Sequence, residues 1–458
     1  MGSHLSLMHG WIPMTLELLA VTTVVVAVGW RTRRWRLLWL PVCAAFGLTW
    51  AAAAYSYLRS AGIAAGPAPV ALWVWIALAG LAASVVVAGW RENRWWRRGV
   101  SLLALPLSLL CAAATINDWV GYVPTLGAAW TEMTSGPLPD QTDRAAITAM
   151  QLSGTVPTNG AVVSVNIDSS ASGFRHRDEL VYLPPAWFAS TPPPPLPAVM
   201  MIGGEFNTPT DWLRAGNAVT TLDGFAATHG GQSPVFVFVD SGGGFNVDTE
   251  CVNGSRGNAA DHLTKDVVPY LTRSFGVSAA PSNWAVVGFS AGGTCAVDLT
   301  VMHPEMFGSF VDIGGDLRPN AGTTTQTIDR LFGSSRSAWQ HFDPTTVITR
   351  HGHYDGVSGL FVVSGARRDS HGQLVPTPNA EYDAASQLCT LGAAHGIDCA
   401  ITAVAGKHDW SCAGTAFATA LPWLAAQLGT PGSPRPMPLR QNGSASSAVH
   451  LSPAPRAR

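Results

Sequence analysis

The segment Trp284-Ala-Val-Val-Gly288-Phe289-Ser290-Ala291-Gly292-Gly293 gives the strongest indication of the fold, and a helix-compatible stretch, residues 294–302, follows it directly. A buried strand that runs into Gly-x-Ser-x-Gly and then into a helix is typical of a nucleophile elbow, where small residues let the chain turn sharply and present the serine hydroxyl. The motif by itself also occurs in ordinary turns, but the strand before it and the helix after it favour catalysis. Ser290 is therefore predicted to be a catalytic nucleophile.

Apolar runs rich in β-branched residues alternate with helical patterns on both sides of this segment. The runs predicted to be strands are residues 161–167, 179–183, 198–202, 234–239, 284–287, 309–313, 360–363 and 399–404. Strands that alternate with helices indicate a mainly parallel sheet covered on both faces. We therefore expect an α/β domain over residues 158–428, in which helices flank the central sheet.

The predicted nucleophile needs a base, because a serine at its ordinary pKa is weak unless a histidine accepts its proton and a carboxylate orients that histidine. In this fold the three follow in the order serine, acid, histidine. Of the eight histidines after Ser290, we select His408, which lies in a loop directly after the last predicted strand. His303 lies too close to the elbow and His450 lies near the C-terminus. The alternative for His408 is an ordinary histidine in a surface loop.

Several carboxylates compete for the role of the acid. Asp369 is the first choice because the strand over 360–363 ends shortly before it, and sites in such sheets form at the carboxyl ends of the strands. Asp355 precedes that strand, whereas Glu381 and Asp383 follow it, and any of the three could serve instead. Asp369 also follows two arginines, so it could belong to a surface ion pair.

Acyl transfer further requires backbone N–H groups aimed at the developing oxyanion. Ala291, directly after the nucleophile, is predicted to supply one of them. The second is expected from the loop over 203–206, after the strand that ends at residue 202, with Glu205 or Phe206 as the donor. The alternative for this loop is an ordinary Gly-Gly turn.

The N-terminal quarter of the chain has a different composition. Four apolar stretches, about 11–30, 37–57, 70–89 and 100–120, are each close to the roughly 20 residues with which a helix crosses a bilayer. Their succession predicts a four-helix transmembrane domain over residues 1–120, rather than buried soluble helices or a cleavable signal peptide. A connector over 121–157 follows, with one short helix expected around 143–152.

Arginines indicate how these spans are oriented. They cluster in two runs, one after the first span and one after the third: Arg31, Arg33, Arg34, Arg36, Arg91, Arg94, Arg97 and Arg98. Because cytoplasmic loops retain positive charge, both runs are expected inside the cell. The N-terminus and everything after residue 122 should then lie outside, so that the protein is a multi-pass protein of the cell membrane with an extracytoplasmic α/β domain.

Composition excludes one class of partner and leaves cysteine pairing open. The formal net charge of -2 and the lack of a long basic block give no indication of nucleic-acid binding.

Five of the seven cysteines follow the predicted spans, so at most two bridges form among them. Cys389 with Cys399 and Cys251 with Cys295 are candidates, although the connectivity does not follow from the sequence. Zinc is not expected, because close Cys/His pairs are absent. Residues 429–458, rich in Pro, Ser and Arg, are predicted to be disordered.

Residues from about 160 to 425 resemble the esterase D group of α/β-hydrolases, which includes the secreted mycolyltransferases. The resemblance rests on Glu179-Leu-Val-Tyr182-Leu-Pro184-Pro185, Leu263-Thr-Lys-Asp266-Val-Val-Pro269-Tyr270, Gly288-Phe-Ser290-Ala-Gly292-Gly293, His303-Pro304-Glu305-Met-Phe307 and Gly406-Lys-His408-Asp-Trp410. It implies an α/β-hydrolase fold and an acyl-enzyme on Ser290, with no metal or organic cofactor. Mycolyltransferases use a Glu as the acid where this chain offers Asp369 first. The segment 248–251 and the four apolar stretches also depart from the secreted enzymes.

These observations together predict a membrane-anchored, extracytoplasmic serine carboxylic-ester hydrolase or acyltransferase. Its substrate is expected to be a small-molecule or lipid acyl ester of the cell envelope, and the acyl group would pass to water or to a sugar. The oligomeric state does not follow from the sequence. The alternative is a non-catalytic envelope-binding module that retains a hydrolase fold.

Overall fold

The computed structural model describes residues 5–61, 68–90, 95–134, 138, 140–244, 247–370 and 374–434. Contacts divide the chain into two units, Met1–Gly136 and Pro137–Arg458. Arg91 and Arg94 of the second arginine run lie outside the described residues, as does most of the predicted disordered tail, residues 435–458.

The N-terminal unit consists of helices. The four long ones are α1 (Trp11–Val28), α2 (Leu40–Ala61, preceded by a π-helical turn, Trp35–Trp39), α3 (Val70–Gly89) and α4 (Trp95–Val120), and a short helix, α5 (Leu126–Met133), follows. Each long helix is long and apolar enough to cross a membrane, and no more than 33% of the residues in its apolar window are buried within the protein. The apolar side chains that remain exposed are of the type that lipid solvates.

Helices α2 and α3 approach closely where two glycines meet. A Cβ atom on Gly47 would lie 2.4 Å from the carbonyl oxygen of Ala77, and one on Gly80 would lie 3.0 Å from Cα of Gly47. Lipid tails offer no hydrophobic drive for helices to associate, so helix pairs in membranes depend on such close backbone packing. A larger side chain at either glycine would push the two helices apart.

The C-terminal unit contains a nine-stranded sheet in the order β1-β2-β3-β5-β4-β6-β7-β8-β9. Its strands are β1 (Gln141–Thr142), β2 (Ala161–Val165), β3 (Glu179–Leu183), β4 (Ala198–Ile202), β5 (Val235–Val239), β6 (Trp284–Phe289), β7 (Ser309–Ile313), β8 (Ser358–Val363) and β9 (Asp398–Ala403). Only β3 is antiparallel to its neighbours, and all other pairs in the sheet are parallel. All eight predicted strands are present, and β1, which has two residues, was missed.

Helices cover both faces of this sheet. They are α6 (Arg144–Ser153), α7 (Asp211–Arg214), α8 (Ala218–Thr228), α9 (Ala259–Asp261), α10 (Val268–Phe275), α11 (Ala291–Met302), α12 (Thr324–Phe332), α13 (Arg336–Phe342), α14 (Pro344–His351), α15 (Ala380–Ala394) and α16 (Trp410–Gln427). Short 3-10 turns occupy Pro185–Ala189 and Pro281–Asn283, and two small hairpins pair Asn253–Gly254 with Gly257–Asn258 and Ala366–Arg368 with Leu374–Pro376. A mainly parallel sheet with helices on both faces is the predicted α/β-hydrolase architecture.

A π-helical turn, His262–Val267, joins α9 to α10. Pro269 follows it at the start of α10, and a proline in a helix lacks an N–H and clashes with the carbonyl group four residues earlier. The wider turn therefore lies where a regular α-helix is least favourable.

Two disulfides link elements of the C-terminal unit, across sequence separations of 44 and 10. Cys251 pairs with Cys295 on α11, and Cys389 on α15 pairs with Cys399 on β9. These are the two pairings that the sequence offered as candidates. The remaining cysteines, Cys43, Cys111 and Cys412, are free and buried.

Candidate active site

The sharp turn between β6 and α11 is built from small residues. Ser290 has a left-handed backbone with φ 59°, and its N–H donates to the carbonyl oxygen of Ile313 at 2.9 Å. A non-glycine residue in this region costs about 1 to 2 kcal/mol, so the surrounding structure must hold it there. A Cβ on Gly288 would lie 1.8 Å from the carbonyl oxygen of Gly292, so the motif needs glycine at this position.

His408 connects Ser290 to a carboxylate. Its Nε2 lies 3.0 Å from Oγ of Ser290, and its Nδ1 lies 2.9 Å from Oε1 of Glu381. The imidazole is 41% exposed, so a substrate can reach it from solvent. The loop after β9 presents the ring, and the carboxylate of Asp409 accepts from the Cys412 N–H and caps α16 behind it. The structure therefore brings together the serine and the histidine that the sequence selected.

The carboxylate on His408 belongs to Glu381, whereas the sequence placed Asp369 first. After β8 the chain turns at Ser364 and forms the hairpin of Ala366–Arg368 and Leu374–Pro376. Asp369 directly follows the first strand of that hairpin, so the hairpin carries it away from the end of β8. The chain returns with α15, whose first turn contains Glu381. Asp383, also in that first turn, and Asp355, before β8, are not the residues bonded to His408 either.

Ser364 and Asn379 fix the position of Glu381. The N–H of Ser364 donates to Oε2 at 2.7 Å, and its hydroxyl donates to Oε1 at 2.8 Å. Asn379 caps α15 by accepting from the Tyr382 N–H, and its amide donates to the carbonyl oxygen of Ser364. Burial alone would raise the pKa of Glu381, but hydrogen bonds from His408 and Ser364 and the charge of His408 hold this pKa below its ordinary value. Glu381 is therefore ionised at neutral pH, as an acid that orients a histidine must be.

The residues predicted to donate to an oxyanion line one pocket beside Ser290. Glu205 and Phe206, in the loop after β4, line it together with Ala291. The loop lies against the elbow, since a Cβ on Gly204 would be 3.0 Å from Cβ of Ser290. Ala291 is the first residue of α11, and the first N–H groups of a helix have no partner within it.

Arg177 holds this loop in place, and nothing in the sequence singled it out. Its Nη2 donates to the carbonyl oxygen of Asn207 at 2.8 Å and to Oδ1 of Asp240 at 2.6 Å, while its Nε donates to Oδ2 of Asp240. Asp240 also accepts from the N–H groups of Gly242 and Gly243 at 3.1 Å. Despite its burial, Asp240 has a lowered pKa because Arg177 pairs with it. One guanidinium thus ties two walls of the pocket together.

Buried carboxyl groups lie beneath the elbow and the pocket. Asp312, on β7, is fully buried and accepts from the Gly315 N–H at 2.7 Å, and its burial raises its pKa to about 7. Glu250 lines the pocket, and burial together with the charges of Asp248 and Asp316 raises its pKa well above the ordinary value.

Comparison with known proteins places this site within a described family. The model of the esterase family, described as "Putative esterase", matches residues 170–424. An uncharacterized protein of Corynebacterium glutamicum is 31% identical over 341 residues, which cover 70% of this chain and 75% of that protein. The MPT51 antigen of Mycobacterium leprae is 30% identical over 137 residues, which cover 28% of this chain and 42% of the antigen.

Solved structures with related folds include an S-formylglutathione hydrolase from Agrobacterium tumefaciens, with a TM-score of 0.48 and 16% identity over 60% of this chain and 97% of that one. MPT51 of Mycobacterium tuberculosis has a TM-score of 0.38 and 17% identity over 58% of this chain and 99% of that one.

Proposed function

The chain belongs to the esterase family of α/β-hydrolases and is an esterase or acyltransferase, and from that premise we propose that Ser290, His408 and Glu381 form its catalytic triad. The observation that carries this proposal is the continuous series of hydrogen bonds from Glu381 through His408 to the Ser290 hydroxyl. A carboxylate, an imidazole and a hydroxyl in this order are the three parts that nucleophilic acyl transfer needs.

In the proposed reaction, Nε2 of His408 accepts the proton of Ser290 while Oγ attacks the carbonyl carbon of an acyl ester. Glu381 stabilises the imidazolium that forms and stays ionised throughout. The tetrahedral intermediate collapses when His408 gives its proton to the leaving alkoxide, and an acyl-serine remains. Water or an acceptor hydroxyl then attacks the carbonyl carbon of the acyl-serine while His408 accepts the proton of this nucleophile. The bond from this carbon to Oγ breaks, His408 returns the proton to Oγ of Ser290, and the acid or the new ester leaves.

The N–H of Ala291 and one N–H from Glu205 or Phe206 are proposed to bind the oxyanion. The loop 203–206 and the N-terminus of α11 border the same pocket, and a Cβ on Gly204 in this loop would lie 3.0 Å from Cβ of Ser290, which supports this assignment. Donors that are fixed before the reaction stabilise charge in the transition state without reorganising. Loss of one such donor typically lowers kcat by about 100-fold or more.

We propose further that the enzyme is anchored in the membrane with its α/β unit outside the cell. Four apolar helices of sufficient length support the anchor. Tryptophans stack with arginines at the helix ends, as Arg36 does on Trp30 and Arg98 on Trp90, which fits an interfacial belt. The two disulfides support an extracytoplasmic location, because disulfides persist in oxidising compartments.

The proposed substrate is an acyl ester of the cell envelope. A membrane anchor keeps the enzyme near lipid-borne esters, and the resemblance to mycolyltransferases favours a lipid acyl donor. Whether the acyl group passes to water or to a sugar depends on which nucleophile the site admits once the acyl-serine has formed.

Labelling with a fluorophosphonate probe tests the triad. The full chain in membranes should be labelled, whereas Ser290→Ala should not be, and His408→Ala and Glu381→Gln should be labelled far more slowly. Ser337→Ala, which changes an exposed serine on α13, is the matched control and should behave like the wild type. A folded wild-type protein that resists labelling would instead favour a non-catalytic binding module. Chasing an acylated enzyme with water or with trehalose then distinguishes hydrolase from transferase.

Fusion of alkaline phosphatase to successive positions tests the topology. The reporter is active only outside the cytoplasm, so fusions after residue 122 should be active and fusions after residue 90 inactive. The reverse pattern would place the α/β unit inside the cell.

A further inference from the structure

A second group of ligand-type side chains lies away from Ser290. In the part of the chain that the structure describes, His176, Glu179 and His262 form a cluster whose nitrogen and oxygen atoms lie within 4.8 Å of one another. Nδ1 of His176 is 2.9 Å from Oε1 of Glu179, and Nε2 of His262 is 3.0 Å from the same oxygen. The two rings stack with their centroids 4.2 Å apart, and Nδ1 of His176 also lies 2.8 Å from the carbonyl oxygen of Arg177.

This cluster is buried, and one of its atoms lacks a hydrogen-bond partner. The side chains of Glu179 and His262 are 0% exposed, and that of His176 is 5% exposed. Oε2 of Glu179 is buried and has no hydrogen-bond partner in the structure. A buried carboxylate oxygen without a partner costs about 1 to 3 kcal/mol or more, so such an atom calls for an explanation.

We propose that His176, Glu179 and His262 bind a divalent transition-metal ion, and that Zn²⁺ is the ion they fit best. Two imidazoles and one carboxylate are ligands that zinc prefers. With bonds of about 2.0 to 2.2 Å, tetrahedral zinc ligands lie about 3.3 Å apart. The two separations between Oε1 of Glu179 and the histidine nitrogens, 2.9 and 3.0 Å, would therefore need to widen by only a few tenths of an ångström. An ion bound by both oxygens of the carboxylate would also give Oε2 of Glu179 the partner that it lacks.

The second ring nitrogen of His262 contacts a carboxylate, as the second nitrogen of a metal-bound histidine commonly does. Oδ2 of Asp266 lies 3.3 Å from Nδ1 of His262, the ring nitrogen opposite the proposed ligand atom, and Oδ1 of Asp266 accepts from the Ala171 N–H. A carboxylate in this place fixes the tautomer and the orientation of the ring. His262 and Asp266 both lie in the π-helical turn, a deviation that is frequent at functional sites.

A proton is the competitor of the metal ion. In the metal-free protein the hydrogen bond to Glu179 raises the pKa of His176 to about 9, against the effect of burial. An imidazolium would account for the contact with Oε1 but would leave Oε2 of Glu179 without a partner. Metal binding has to displace that proton.

The position of the cluster indicates a structural role for the ion. The start of β3 lies beside the carboxyl end of β5, so Glu179 occupies the same edge of the sheet as the candidate active site. Arg177, between His176 and Glu179 in sequence, donates to Asn207 beside the loop 203–206. An ion bound to residues 176 and 179 would therefore hold the segment that carries Arg177.

Metal content and metal binding of the full chain in detergent test the proposal. The wild type should contain about one zinc per chain, release it to a chelator, and regain it with a rise in melting temperature. Glu179→Gln and His262→Asn should lose the metal, and Asp266→Asn should bind it about 10- to 100-fold more weakly. The control is His303→Asn, because His303 also contacts a carboxylate, Glu305, but on the surface.

Two results would overturn the proposal: a chelated, folded wild type that neither binds Zn²⁺ nor shifts its melting temperature, or a Glu179→Gln variant that binds as tightly as the wild type. If the variants fail to fold, titration of the chelated wild type with Zn²⁺ still decides the matter. Mg²⁺ serves as the negative control, since it prefers oxygen ligands.

Discussion

Two carboxylate–histidine groups in the same α/β unit differ in access and in what the histidine contacts next. His408 is 41% exposed and lies between Glu381 and the hydroxyl of Ser290. His262 is 0% exposed and shares the oxygen of Glu179 with a second histidine. The distances from nitrogen to carboxylate are nearly equal, 2.9 and 3.0 Å. The comparison shows that the surroundings of a histidine, more than its bond to a carboxylate, determine whether it can exchange protons with a substrate.

The largest expected effect comes from removing each histidine in turn. His408→Ala should lower kcat by about 10⁴-fold or more with little change in the free energy of unfolding, because loss of the base disables a triad. His262→Asn should instead lower the free energy of unfolding by about 3 kcal/mol, because the buried carboxylates of Glu179 and Asp266 both lose their contact with this histidine. Ester hydrolysis and urea unfolding of the same preparations measure both. Equal loss of stability in the two variants would remove the distinction between the groups.

The second-largest expected effect comes from Glu381, the carboxylate of the solvent-exposed group. Glu381→Gln should lower kcat by about 10³-fold or more, since the imidazolium loses the charge that stabilises it. Asp369→Asn is the matched control and should leave kcat unchanged. Steady-state hydrolysis of a small ester measures both variants. If Asp369→Asn were the damaging change, the assignment of Glu381 would fail.

A third carboxyl group, that of Asp312, is buried like Glu179 but has a backbone N–H, that of Gly315, as its partner instead of a histidine. Burial raises the pKa of Asp312 from 3.8 to about 7, so its protonated form stabilises the fold at low pH, and this stabilisation is lost as the pH rises through about 7. Asp312→Asn removes this pH dependence. Between pH 4 and pH 8 the stability of the variant should rise relative to that of the wild type, by an amount on the order of 4 kcal/mol. Unfolding at a series of pH values measures the difference, and a constant difference would contradict the shift.

The smallest expected effect comes from Arg177, which lies in sequence between the cluster residues His176 and Glu179 and contacts Asn207 beside the candidate active site. Arg177→Lys keeps the charge but cannot contact Asp240 and Asn207 with the same planar fork. The loop 203–206 should then hold the oxyanion less well, and kcat should fall by about 10-fold while KM changes little. Steady-state kinetics give kcat and KM, and a melting curve of the same preparation shows whether the fall in kcat comes only from a less stable protein. A rise in KM alone would show that Arg177 positions substrate binding rather than the transition state.

Local patterns predicted most of the fold and part of the candidate site. Each of the eight predicted strands was long and apolar enough to be recognised, whereas β1 has only two residues. Ser290 could be selected because it directly follows a strand, and His408 because it lies in the loop after the last strand. The acid depended on the hairpin between β8 and α15, which moves Asp369 away and whose path no local pattern shows.

Local sequence patterns could not predict the contacts between residues that are far apart in the chain. Glu179 and His262 are 83 positions apart, so no short Cys/His spacing indicated them, and the expectation of no zinc rested on the absence of such spacing. Arg177 likewise bonds to Asp240, 63 positions away. Both relations follow only from the reversed direction of β3, which brings its start to the carboxyl end of β5.

The π-helical turn His262–Val267 also has a consequence for insertions and deletions in the gene. Removal of one residue from this turn would favour a regular α-helix, and each residue of an α-helix turns the chain by about 100°. His262 would then rotate away from Glu179, although no ligand had been substituted. Relatives that differ here by a single-residue gap should therefore differ in metal content, even where all three ligand residues are retained.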